Sequence, residues 1–186
     1  MKKYIFAVLL AISALGATSC KKDPKLPTPG VEDFPLIYTN LGAQSVFKLA
    51  DVRGSGNPTA VINLELRGGD LSQVEAIEIY RQARTFNVPA TGNPVLGLGG
   101  STLLLRTVPP ASGDVEIALN DLMPNLTRPT GASQAGTRVA LTRASLQANE
   151  GFLITYALQL KGGRRIEYLA ASFLNAPLSG TISIVP

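Results

Sequence analysis

Three stretches of this chain alternate apolar and polar residues with a period of two, and that alternation restricts the chain to sheet. In residues 61–67, Ile62, Leu64 and Leu66 share one side, with Asn63, Glu65 and Arg67 on the other. In residues 152–161, Phe152, Ile154, Tyr156, Leu158 and Leu160 stand opposite Thr155, Gln159 and Lys161. In residues 114–120, Val115, Ile117 and Leu119 stand against Asp114, Glu116 and Asn120. Successive strand side chains point to opposite faces, so each stretch reads as a strand with one face in a core and one in water. That is the habit of antiparallel sheets. Residues 45–50, 101–106, 138–142 and 181–185 are shorter candidates, and Gly, Pro, Asn and Asp punctuate the intervals. Short strands at regular spacing imply a sandwich or a barrel.

Residues 71–84, LSQVEAIEIYRQAR, carry two periods at once. Leu71, Val74, Ile77 and Tyr80 lie near helical spacing, with Asp70 placed to cap. Ile77, Ile79 and Tyr80 suit a sheet, which favours a strand over 74–82. Residues 144–148 are compatible with a short helix. Gly162-Gly163 marks a hairpin after the 152–161 strand. A two-residue loop sets Leu158 opposite Glu167 and mixes the faces. A three-residue loop over residues 162–164 sets Leu160 against Ile166, Leu158 against Tyr168 and Gln159 against Glu167. A slip of one residue turns a strand over, so burial selects the odd loop, with glycine supplying the left-handed residue of a bulged turn. Residues 85–100 and 124–137, rich in Gly, Pro, Asn and Thr, are expected as long loops. Loops of that length are frequently functional, although a variable surface excursion is the favoured reading here.

The N-terminus follows other rules. Lys2 and Lys3 precede an apolar run from Ile5 to Leu15 that only Ser13 interrupts, and Gly16, Ala17, Thr18 and Ser19 follow. A basic end, a short apolar middle and a small-residue cleavage region describe a secretory signal over residues 1–19. The run is too short for a bilayer, which needs about 20 apolar residues. Ala17-Thr18-Ser19-Cys20 resembles the lipobox of bacterial lipoproteins, with Ala17 in place of the commoner Leu and Ser19 in place of Gly or Ala. The resemblance implies diacylglycerol on the Cys20 thiol and, after cleavage, an acylated amine. Cys20 is the only cysteine, so the chain offers it no disulfide partner. Each buried methylene contributes about 0.8 kcal/mol, and two or more acyl chains anchor stably. Residues 20–33 then supply a lipidated Cys and a flexible linker. Three prolines, three lysines and a glycine in residues 21–33 make it a stiff, solvated tether. Residues 34–186 remain for the folded domain.

The leader removes Lys2 and Lys3 from 17 basic residues against 13 acidic ones, leaving a net +2. That is no footprint for nucleic acid. The chain has no histidine, which removes imidazole bases, Ser-His-Asp triads and His-ligated metals. It has no tryptophan, which weakens a sugar-stacking platform, although Tyr and Phe also stack. Nothing points to a cofactor. Gly97-Leu98-Gly99-Gly100 lacks the Lys-Ser/Thr of a phosphate loop and precedes a strand, not a helix. Leu103, Leu104 and Leu105 read as a buried strand. Asn125-Leu126-Thr127 matches a glycosylation acceptor in a chain whose signal looks bacterial. Asp70, Glu75 and Glu78 lack the spacing of a calcium loop. Asp114 and Glu116 share the wet face of a strand. A carboxylate pair for a hydrolase is conceivable in principle, but their place on a wet face favours ordinary solvated charge. Beyond Phe34 there are 10 arginines and only Lys48 and Lys161. Arg81, Arg84, Arg164 and Arg165 read as surface charge.

Ser19-Cys20-Lys21-Lys22-Asp23, the Pro-rich tether and the β-rich body together resemble small outer-membrane lipoproteins of the Bacteroidota type. Residues 74–80 (VEAIEIY), and 151–160 followed by Gly162-Gly163-Arg164, are similar to immunoglobulin-like domains encoded beside TonB-dependent glycan importers. The expected fold is therefore all-β: a single antiparallel β-sandwich, immunoglobulin-like or fibronectin III-like. The resemblance implies a non-enzymatic accessory subunit in glycan or nutrient uptake, anchored in the outer membrane. Its partners would be a transporter or other envelope protein, or a glycan. A structural or adhesin-type envelope module and a carboxylate-dependent hydrolase are the alternatives. A concave cluster including Tyr38 or Phe86 would mark a ligand site, and a flat apolar edge a protein partner.

Overall fold

The most apolar alternating run becomes the centre of the larger of two sheets. The computed structural model describes residues 35–40, 45–89, 91–167 and 179–186. In chain order these form β1 (Leu36–Asn40), β2 (Val46–Lys48), α1 (Leu49–Arg53), β3 (Thr59–Arg67), β4 (Val74–Phe86), β5 (Leu96–Val108) and β6 (Gly113–Ala118). They continue with α2 (Leu119–Leu122), β7 (Thr127–Pro129), β8 (Arg138–Ala140), β9 (Gly151–Leu160), β10 (Arg165–Glu167) and β11 (Ser179–Val185). The larger sheet runs β2-β11-β9-β4-β5, with β10 also on β9. The smaller runs β1-β3-β6, and β7 and β8 form a separate hairpin. Pairing is antiparallel except between β2 and β11, where Val46 lies parallel to Ser183.

Both sheets turn the predicted apolar sides into one core. Ile37, Ile62, Leu64 and Ile117 come from the smaller sheet, and Ile77, Ile79, Phe152, Ile154, Leu158, Ile182 and Ile184 from the larger. The fold is an all-β, sandwich-like packing of antiparallel sheets. Tyr156 of β9 is buried in that core. Burial pushes its phenol well above the usual range, against a smaller opposing effect of Thr39 on β1.

Several boundaries differ from the sequence reading. The 114–120 run leaves the sheet after Ala118, and Leu119 and Asn120 begin α2. Pro58 carbonyl accepts from Leu119 N–H at 2.9 Å and Asn57 Oδ1 from Asn120 N–H at 3.0 Å. The helical turn buries both Leu119 and Leu122, three residues apart, on one side. Residues 45–50 likewise yield β2 and then α1, which buries Val52. In 71–84 both signals are real. Leu71–Gln73 is a 3-10 turn capped by Asp70, and the strand from Val74 outlasts its predicted end to reach Phe86. The 85–100 loop shrinks to residues 87–95 because β5 starts at Leu96. The 124–137 loop contains β7. The helix of 144–148 is a single 3-10 turn, Arg143–Ser145. The leucine triplet is strand and only partly buried: Leu103 and Leu105 pack against the core and Leu104 faces outward. A register shift pairs Ile79 with Arg106 and Tyr80 with Leu104, and Leu104 is 49% exposed.

The hairpin has the odd loop that burial requires, one residue earlier than expected. Lys161–Gly163 form the loop, with Gly163 N–H donating to Leu160 carbonyl at 3.1 Å and Leu160 N–H to Arg164 carbonyl at 2.8 Å. Gly162 and Gly163 both have positive φ, at 85° and 81°, so both sit inside the turn. The register becomes Leu158 to Ile166 and Gln159 to Arg165, with faces matched as predicted. The expected pairs of Leu158 with Tyr168, Leu160 with Ile166 and Gln159 with Glu167 are therefore not made, because the loop falls one residue earlier and shifts the partner strand by two. Tyr168 itself lies outside the described residues.

The Gly97–Gly100 stretch is explained by close approach. It lies in β5 beneath Gln134 and Arg138. A Cβ on Gly99 would meet the Arg138 guanidinium and, at 2.8 Å, Gln134 Oε1. Arg138 reaches this position by donating from Nε to Thr127 Oγ1 at 2.8 Å and from Nη1 to Gln134 carbonyl at 2.6 Å. The Gly99→Ala variant should lose about 1–2 kcal/mol, because flexible side-chain ends can retreat where backbone cannot. Urea unfolding checks this, and a midpoint unchanged from wild type would refute the close-packing account.

Candidate functional site

A cavity of ≈ 610 Å³ opens between the end of α1, the β7–β8 hairpin and the 3-10 turn Arg143–Ser145. Arg53, Val88, Arg128, Thr130, Val139 and Gln147 are among its lining residues. The turn forms for a local reason. Thr142 Oγ1 accepts from Ser145 N–H at 3.3 Å, and Ser145 Oγ accepts from Thr142 N–H at 3.0 Å, a reciprocal cap. Leu146 follows, fully buried, and pins the turn to the core. Three arginines then hold it. Arg143 donates to the carbonyls of Gly54 at 2.9 Å and Gly56 at 2.5 Å. Arg53, the last residue of α1, donates to Leu146 carbonyl at 2.9 Å. Arg128 of β7 donates to Ser145 carbonyl.

Behind the cavity lies a buried ion pair. Arg128 Nη2 and Glu150 Oε1 are 3.1 Å apart, with side chains 9% and 0% exposed. Glu150 Oε1 also accepts from Phe86 N–H at 2.8 Å, and its Oε2 from Gln147 N–H at 2.9 Å. A buried carboxylate survives only when donors replace its water, and here three do. The same contacts tie the end of β4 to the start of β9. Sequence reasoning missed Arg53, Arg128 and Glu150. Glu150 stood directly ahead of the most apolar strand, the one place where an acid must be paired or capping. Arg128 lay in a segment expected to be a loop.

A second polar cluster lies on the outer face of the larger sheet. Glu78 of β4 accepts from Tyr80 Oη at 2.7 Å, Gln159 Nε2 at 2.6 Å and Arg165 Nε at 2.6 Å. Arg165 also stacks 5.3 Å from the Tyr80 ring centroid and pairs with Glu167. Burial raises the Glu78 carboxyl, but the hydrogen bonds from Tyr80, Arg165 and Gln159 outweigh it and hold the group below its usual range. A carboxyl depressed in the folded state stabilises fully above the unfolded pKa of about 4.3 and loses that stabilisation as pH falls through the folded value. Wild type should therefore lose more stability on acidification below about pH 4.3 than Glu78→Gln does. Urea midpoints measured across that range check it, and parallel pH profiles would count against the cluster.

The residues singled out in the sequence do not converge. Cys20, the leader and the tether lie outside the described residues. Asp114 and Glu116 are both exposed on β6, and Asp114 is engaged by Asn63 Nδ2 at 2.8 Å. Asp70 is spent on Ser72 and Gln73, and Glu78 on its own cluster. Among the described residues no group of three His, Cys, Asp or Glu could hold a metal ion. Asn125 is in the left-handed region at φ 61°, and Leu126 beside it is buried. Tyr38 lies on β1 under Arg67, whose guanidinium is 4.9 Å from its ring, whereas Phe86 ends β4 in the other sheet. They form no joint cluster.

Two arginines expected at the surface prove partly or wholly committed. Arg81 is only 7% exposed on the inner side of β4, opposite Ile154. It donates to Pro124 carbonyl at 3.0 Å and Leu104 carbonyl at 3.4 Å, and burial lowers its pKa. Backbone carbonyls thus stand in for the water an arginine normally keeps. Arg165 is bound into the Glu78 cluster, and Arg84 is half-buried.

No family model and no curated protein matches the chain. Among solved structures it is similar to the sporulation control protein Spo0M of Bacillus subtilis, at 9% identity over 82% of this chain, with a TM-score of 0.32. The chain spans about half of that protein, 49% of its length, and a likeness this loose carries no argument about activity.

Proposed function

We propose that the chain is a non-enzymatic envelope protein, anchored in the outer membrane by lipid on Cys20. Its β-sandwich acts as an accessory ligand- or partner-binding subunit in glycan or nutrient uptake. The observation that carries this reading is the leader ending in the chain's only cysteine. The cavity beside Arg53 and Arg128 supports a binding role, because it joins cationic groups to an apolar rim in a volume suited to a small ligand. The buried acids support binding over catalysis. Glu78 and Glu150 are each held by an arginine and further donors, which commits both side chains to holding strands together. Intact mass spectrometry of the native protein tests the anchor. The expected result is a chain starting at Cys20 with a diacylglyceryl thioether, lost in Cys20→Ser. An unmodified thiol behind an intact leader overturns the reading.

A further inference from the structure

We propose that the cavity beside Arg128 is a receptor for a small organic carboxylate carried on an apolar body. This rests on the binding role just described and names its ligand class. Arg53 and Arg128 line the cavity, and among the described residues no acidic side chain does. Glu150 lies behind Arg128 with three of its acceptor positions already filled. It fixes the Arg128 guanidinium in place without entering the cavity. Arg53 is exposed and gives one Nη to Leu146 carbonyl, which leaves its remaining donors for a ligand.

Charge selects between anions. Two guanidiniums against one buried carboxylate leave a single positive charge, which matches a monoanion better than a phosphate dianion. The planar fork of arginine also fits a carboxylate through two parallel hydrogen bonds. The rim sets the rest of the ligand. Val88 is 54% and Val139 47% exposed, flanking the arginines with apolar surface that a ligand's hydrocarbon would cover. Thr130 and Gln147 add neutral polar groups for a hydroxyl.

The test titrates the full mature protein in detergent with sodium butyrate, butyramide and inorganic phosphate, followed by ligand-observed NMR. Butyrate should bind at least tenfold more tightly than butyramide, and phosphate no more tightly than butyrate. Arg53→Gln should weaken butyrate at least tenfold. Val139→Glu should weaken it further than the neutral Val139→Gln does, the difference being the like charge placed on the rim, and this pair keeps the test valid should Arg53→Gln unfold. Equal binding of butyrate and butyramide, tighter binding of phosphate, no binding of butyrate, or indifference to both charge changes would overturn the proposal. The mass of the Cys20 anchor is measured separately, so a failed titration on a lipidated protein removes the ligand class and leaves the anchor reading standing.

Discussion

Gly151→Ala should cost more than about 3 kcal/mol, at or beyond the upper end of ordinary overpacking. Gly151 opens β9 and pairs with Arg84 of β4 on one side and Ser183 of β11 on the other. A Cβ there would intrude on the Ile182 carbonyl oxygen and lie 3.1 Å from both the Ile182 carbonyl carbon and Ser183 Cα. All three atoms are backbone of the neighbouring strand, so no rotamer change relieves the clash. β11 must lift from β9, and it carries β2 with it. Against a typical total of about 5–15 kcal/mol, that is a large share of the stability of a domain. Denaturant unfolding followed by circular dichroism measures it. A variant melting within about 2 °C of wild type, where 1 kcal/mol shifts a domain of this size by roughly 2–4 °C, would show that the strands have slack there.

Removing Glu150 is the other large effect. Glu150→Ala should cost about 3–5 kcal/mol, the usual penalty for leaving a buried charge without its partner. It would strand the Arg128 guanidinium together with the amide hydrogens of Phe86 and Gln147. Glu150→Gln keeps an oxygen acceptor and should cost less. Arg128→Met should be nearly as damaging as Glu150→Ala, since it leaves the carboxylate buried with two amide donors alone. Urea unfolding of the singles and the double, combined as a cycle, reads the coupling directly. A loss below about 1 kcal/mol for Glu150→Ala would mean that water reaches the pair, as it does in exposed bridges.

The faces of the strands were legible, because burial leaves a mark every second residue. Ile62, Leu64 and Leu66 point where their spacing says. Register was less legible. The hairpin after β9 shows why: matching the faces demands an odd loop, but three-residue loops at residues 161–163 and 162–164 satisfy the faces equally and both contain the two left-handed glycines, so neither signal chooses between them. The helical turns at Leu119 and Leu49 were hidden because each continues an apolar pattern that a strand also explains. The cavity was the least legible part. Arg128 and Glu150 meet across a 22-residue separation, and nothing local to either one names the other. Arg81 looked like surface charge because its partners are carbonyls, which every residue has and no sequence pattern advertises.

The parallel pairing of β2 with β11 has a kinetic consequence. Val46 joins Ser183 across nearly the whole described span, and β11 is wedged between β2 and β9. Contacts so distant along a chain are slow to form, because loop closure must come before any reward. β2 therefore has no berth in its sheet until β11 arrives, so this edge of the larger sheet can close only once the last described strand is in place.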